Sequence, residues 1–225
     1  MTAAANLDPR ARILRAGRQL IGQRDRSTTM DELLQEAAVN RRTFYANFAS
    51  KDDLVLAMVD DAARTLQETL ASAMASCADA PAAVAAYIGE MLGIGWDERR
   101  AHDGRAFLSH EVGMTPHVAA ALERAYERHR ALLRDVIADG VADGTLPAAD
   151  PERDAFAIHA ALVRHLEVRV RLGTDLDFAA TRDGLVDLFL TGMGARSGAD
   201  GRPGTRPAAA PTATAPAEQL PQLSD

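Results

Sequence analysis

Up to residue 192, apolar residues recur at three- and four-residue intervals, and no stretch alternates apolar with polar as a half-buried strand would. This periodicity restricts the chain to an all-α fold of about nine helices. Composition agrees. Aromatic residues make up only 4% of the chain, and alanine, the strongest helix former, takes up much of the remainder. The first helix is expected over Pro9 to Gln23, with Ile13, Ala16, Gly17, Leu20 and Ile21 on one face. Thr28 or Thr29 caps a second, and a third runs from Arg41 to Phe48. Ser50-Lys51-Asp52-Asp53 resembles a capping box with Asp in place of Glu, opening a long helix to Ala75. Further helices are expected over Pro81 to Trp96, Arg105 to Gly113, from Pro116 to the Asp143-Gly144 break, from Pro151 to Gly173, and over Leu176 to Gly192.

Several classes are set aside by simple features. No apolar run is long enough to span a bilayer, and the N-terminus lacks a signal-peptide pattern. Cys77 is the only cysteine, so an internal disulfide is impossible, and a cytoplasmic protein is expected. There is no phosphate loop, nucleophile elbow or dinucleotide fingerprint, and His110-Glu111 and Asp175/Asp177 do not make an enzyme of the chain by themselves. The six histidines show no His-Glu-x-x-His pattern. His159 and His165 lie on different faces of one helix, and His110 and His117 flank a proline. Neither a metal nor a cofactor is expected. From Gly194 the chain holds half of its ten prolines and no aromatic residue, so residues 193–225 read as a disordered tail, with an extended docking segment as the alternative.

The net charge of −7 argues at first against a polyanionic partner. It is unevenly spread, however. Residues 1–55 carry +2, residues 56–192 carry −9 and the remainder is neutral. The positive end contains the informative segment, Thr28 to Leu54. Two short amphipathic helices are joined there by Ala38-Val39-Asn40, which is helix-turn-helix spacing. Leu33, Ala37, Val39, Phe44 and Phe48 supply a small core. Asn40 caps the second helix, which presents Arg41, Arg42, Thr43, Tyr45 and Asn47 outward. Arg donates a bidentate pair to guanine, Thr meets a base edge or a thymine methyl, and a Tyr hydroxyl suits phosphate. Lys51, the only lysine, can reach the same backbone. A solvated basic helix is the plain alternative to a double-stranded DNA face.

These residues resemble the TetR (TetR/AcrR) family of regulators. The likeness rests on Ile13-Leu14 and Ala16, Thr28-Thr29, Ala37-Ala38-Val39-Asn40, Thr43-Phe44-Tyr45, Phe48, Lys51 and Leu54. It implies a helix-turn-helix DNA-binding domain over residues 1–50 and a helical effector-binding and dimerisation domain over residues 51–192. Thr29, Thr43, Tyr45 and Lys51 then fall at operator-contact positions, and Arg41 and Arg42 at base-choosing ones. Ala38 departs from the pattern, since the family usually has Gly there; a left-handed Ala carries about 1 kcal/mol of strain. The resemblance further implies a homodimer through the last two helices, here with stripes Leu162/Leu166/Val170 and Leu185/Val186/Phe189. It also implies a pocket for a small hydrophobic or aromatic effector. Candidate pocket residues are Tyr87, Met91, Trp96, Phe107, His110, Met114, Tyr126, Phe156, His159, Leu162 and His165, each of which could equally be ordinary core. The implied function is a ligand-responsive repressor on a near-palindromic operator. An activator, or a helix-turn-helix protein without an effector, stays open at this point.

Overall fold

The computed structural model describes residues 8–21, 28–97 and 115–195, and every regular element among them is an α-helix. There are eight: α1 (Pro9–Ile21), α2 (Met30–Glu36), α3 (Arg41–Asn47), α4 (Lys51–Ala75), α5 (Ala80–Trp96), α6 (Pro116–Asp143), α7 (Pro151–Leu172) and α8 (Phe178–Gly192). The ninth helix expected over residues 105–113, and the tail beyond residue 195, lie outside the described residues.

The helix starts follow from local chemistry. Thr29, Asn40, Ser50, Asp79, Thr115, Asp150 and Asp177 are the N-caps of α2 to α8, and each side-chain oxygen accepts from a first-turn N–H. Each such cap stabilises its helix by about 1 kcal/mol. Thr29 and Glu32 form a reciprocal capping box. At α4 the return bond reaches one residue further back: Asp53 Oδ2 accepts from the N–H of Ala49 at 2.9 Å, while Ser50 Oγ accepts from that of Asp53 at 3.0 Å. Gly144 (φ 78°) and Gly173 (φ 62°) end α6 and α7 in the left-handed region that glycine enters without strain.

Two apolar cores result. The first gathers Ile13 and Ala16 of α1, Leu33 and Leu34 of α2, Phe44 and Phe48, and Leu54, Met58 and Val59 of α4, with Val118 and Ala121 of α6. The second joins α5, α6, α7 and α8 around Tyr87, Ile88, Leu92, Leu133, Ile137, Ile158 and Leu162. Helix α4 contributes to both, through Leu54 to Val59 in one and Leu70 and Met74 in the other. Helix α1 comes close to α4 at Gly17, where a Cβ would lie 2.8 Å from Met58 Sδ. Both α7 and α8 pack against α5.

The stripes expected to form a dimer face do not lie on the outside. Leu162, Leu166, Val170 and Leu185 are buried within the protomer, and Val186 and Phe189 are half-buried against the second core. The strongest apolar stripe of each helix is used by its own chain. The large apolar side chains that α7 and α8 expose are Phe156 and Leu188, at 60% and 63%.

A candidate DNA-reading face and a candidate effector cavity

Helices α2 and α3 are joined by a turn whose geometry accounts for its sequence. Ala38 has φ 50°, the only positive φ among the described non-glycine residues. The N–H of Val39 donates to Leu34 O and that of Ala38 to Gln35 O, both at 3.1 Å, which is the Schellman pattern with Ala at the position that favours glycine. Arg12 of α1 donates to Ala38 O at 3.3 Å and ties the turn to the first helix. Asn40 then starts α3, its Oδ1 accepting from Thr43 N at 2.8 Å. Phe44 and Phe48 anchor α3 from beneath, both buried, with ring centroids 5.9 Å apart.

The residues singled out for DNA fall into two groups on this frame. Arg42 and Tyr45 are exposed, and neither side chain has a hydrogen bond or ion pair among the described residues. Tyr45 is held edge-on to Phe44 at 5.3 Å. Arg41 is also exposed, but its guanidinium pairs with Asp31 of α2 at 2.8 Å. The others are part of the local scaffold. Thr29 and Asn40 serve as caps. Thr43 is half-buried, and Asn47 Nδ2 donates to Thr43 O at 2.8 Å. Lys51 Nζ donates to Thr28 O at 2.6 Å, so the ammonium at the head of α4 is fixed beside the start of α2.

A cavity of about 250 Å³ lies between α4, α5, α6 and α7, with Arg18 of α1 also on its wall. Its lining is mainly apolar and includes Val59, Leu66, Met91, Ile94, Leu122 and Val163. The polar side chains on it are Arg18, Thr65, Thr69, Tyr126 and His129. Arg18 pairs with Asp61, which also accepts from Arg64 at 2.6 Å; Arg64 in turn meets Glu68 at 3.0 Å. Burial would raise the Asp61 carboxyl, but bonding and charge from Arg64 and Arg18 outweigh it and hold the group below its usual range. His129 Nε2 donates to Ala63 O at 3.0 Å, and burial pushes its pKa below the ordinary value, so the ring is neutral.

Of the candidate pocket residues, Met91 and Tyr126 line this cavity. Tyr87 and His159 lie behind it. The Tyr87 hydroxyl and His159 Nδ1 are 2.8 Å apart, and the His159 ring meets Tyr126 edge-on at 5.3 Å. Burial lowers His159 to about 4 and raises Tyr87, so both are uncharged. A Tyr87 hydroxyl donating to Nδ1 leaves the proton on His159 Nε2, a buried atom with no hydrogen-bond partner among the described residues. Trp96 is elsewhere. Its Nε1 donates to Leu176 O at 3.0 Å, and its ring packs on Phe178 and under Arg169, joining α5 to the start of α8. Phe156 is on the surface of α7 beneath Arg130, and Leu162 is fully buried core. His165 Nδ1 bonds the Ala161 carbonyl of its own helix. Phe107, His110 and Met114 lie outside the described residues. Sequence reasoning missed Arg18, Thr65, Thr69 and His129. His129 carried a usable signal, since it shares the Leu122/Tyr126/Leu133 stripe.

Among the described residues no group of three or more His, Cys, Asp or Glu is arranged to hold a metal ion. No described helix is long and apolar enough to cross a membrane.

Residues 13–58 match the model of the bacterial regulatory proteins of the tetR family. No curated protein matches the chain by sequence. The fold is similar to that of the transcriptional regulator FadR from Bacillus subtilis, solved with stearoyl-CoA, at a TM-score of 0.70 and 15% identity over 81% of this chain and 98% of that one. It is also similar to PfmR, a TetR family transcriptional regulator from Thermus thermophilus, at 0.63 and 19% identity over 83% and 97%. AibR, solved with isovaleryl coenzyme A and operator DNA, is similar at 0.61 and 16% identity over 80% and 97%. At these identities the likeness is one of fold.

Proposed function

We propose that the chain, whose residues 13–58 match the model of the tetR family of bacterial regulatory proteins, is a homodimeric repressor of that kind, released from its operator by a small hydrophobic effector. The observation that carries the reading is a mainly apolar cavity whose wall includes Arg18, a residue of the helix-turn-helix head. Similar folds solved with acyl-CoA ligands, and in one case with operator DNA as well, support it.

The residues divide the work as follows. Arg42 reads a base edge, and Tyr45 and the Lys51 ammonium hold phosphates. Arg41 reaches DNA by exchanging Asp31 for a base or phosphate. Two copies of α3 enter successive major grooves about 34 Å apart, which asks for a near-palindromic site. Phe156 and Leu188, exposed on α7 and α8, lie on the dimer face. An effector wedged between α4 and α6 shifts α4, which begins at Lys51. The Arg18–Asp61 pair carries the same shift to α1. A coupling of about 1–3 kcal/mol is enough to change operator occupancy severalfold.

Arg42→Ala tests the reading face. It removes an exposed side chain with no partner among the described residues, so the fold and the dimer should persist. Specific DNA affinity, measured by fluorescence anisotropy, should fall about tenfold or more, the loss expected for one bidentate base contact. Unchanged binding would remove Arg42 from the reading face.

A further inference from the structure

The polar groups of the cavity are unevenly committed, and their inventory selects a ligand. The Thr65 hydroxyl donates to Asp61 O at 3.0 Å and the Thr69 hydroxyl to Thr65 O at 2.9 Å, so each offers the cavity only an acceptor oxygen. His129 uses its Nε2 proton on Ala63 O, and neutral Nδ1 is then a bare acceptor. The Tyr126 hydroxyl makes no hydrogen bond among the described residues. It stands one turn from His129 on the same face of α6. Arg18, the one charged residue among the described lining, belongs to a ladder with Asp61, Arg64 and Glu68 that sums to zero charge. A carboxylate entering beside Arg18 would meet the Asp61 carboxylate already there. The described lining is thus rich in acceptors; its donors are the Tyr126 hydroxyl and the guanidinium of Arg18, whose charge Asp61 already balances.

On the reading that this cavity is the effector site, we infer that its ligand is an uncharged, mostly apolar alcohol or phenol, whose hydroxyl donates to His129 Nδ1 and is met by the Tyr126 hydroxyl, and that carboxylates of the same size are rejected. The neutrality of His129 keeps Nδ1 an acceptor at neutral pH, in line with the downward push of burial on its pKa. The rejection of anions follows because a carboxylate cannot donate to His129 Nδ1, the cation of the described lining is already paired with Asp61, and a buried anion without a charge partner of its own is costly.

Three probes of nearly equal size separate the terms: para-butylphenol, para-butylanisole and para-butylbenzoate. Isothermal titration calorimetry of the full chain at neutral pH should give one phenol per chain, bound about tenfold more tightly than the anisole, the worth of one hydrogen bond. The benzoate should bind still more weakly. Tyr126→Phe should weaken the phenol severalfold while the anisole still binds, which also shows that the cavity remains formed. Equal binding of phenol and anisole, a benzoate that binds as well as the phenol, or a Tyr126→Phe chain with unaltered phenol affinity would each overturn this inference while leaving an effector site in place. Binding of none of the three would overturn the effector reading itself, and this inference with it.

Discussion

Acidification should destabilise the fold through His159, and the size of the effect can be worked out from its surroundings. The ring is 2% exposed and bonded through Nδ1 to the fully buried Tyr87 hydroxyl, and His129 and Arg130 are nearby. Burial, then the two neighbouring basic groups, lowers its pKa from 6.5 to about 4. Above pH 6.5 neither the folded nor the unfolded chain binds this proton. Between 6.5 and about 4 the unfolded chain takes it up and the folded chain does not, so stability falls as the pH falls. At 1.36 kcal/mol per pH unit, the loss reaches about 3 kcal/mol at pH 4. His159→Gln keeps an acceptor for Tyr87 and cannot titrate. It should cost about 1–2 kcal/mol at pH 7 through imperfect packing. Urea unfolding followed by circular dichroism, at one fixed chain concentration, gives both stabilities from pH 7 to 4. Groups that do not interact with His159 cancel in the difference. The wild-type advantage at pH 7 should shrink and then reverse by pH 4. A difference that stays constant over that range would refute the claim that His159 is held neutral.

Two further outcomes follow. Ala38→Gly should raise stability by about 0.5–1 kcal/mol, because relief of the left-handed Ala exceeds the entropy that glycine loses on folding; calorimetry would show a melting point higher by a few degrees, and a lower one would contradict the strain. Leu188→Glu places a charge on the exposed ridge of α8 and should shift sedimentation toward monomer at micromolar concentration with unchanged helicity, whereas an undisturbed dimer would place the interface elsewhere.

What could be read from the sequence was what acts over a few residues. Asn40, Ser50 and Asp150 announce helix starts because a short polar side chain satisfies orphan N–H groups three residues on. The turn before Asn40 was legible from helix-turn-helix spacing, and the departure at Ala38 from the family resemblance rather than from any capping side chain. The cavity was not, since it arises where four helices converge and α1 reaches in with Arg18. No spacing along one helix encodes that convergence. Phe156 shows the difficulty: at helical spacing it reads like Ile158 or Leu162, yet one rotation of the helix puts it outside. The dimer stripes failed in the same way, because Leu162 and Leu185 satisfy an amphipathic pattern equally well against their own chain or against a second one. His159 lay in an apolar stripe, but that its Nε2 has no partner among the described residues depends on Tyr87, which is 72 residues away.

Selection of genomic fragments with the purified full chain, read by sequencing, tests the central claim most directly. The account predicts enrichment of a few fragments that share a near-palindromic motif, with half-sites one helical turn apart, and loss of that enrichment with Arg42→Ala. Enrichment of no sequence over bulk DNA, or of a motif that Arg42→Ala recovers equally well, would contradict it.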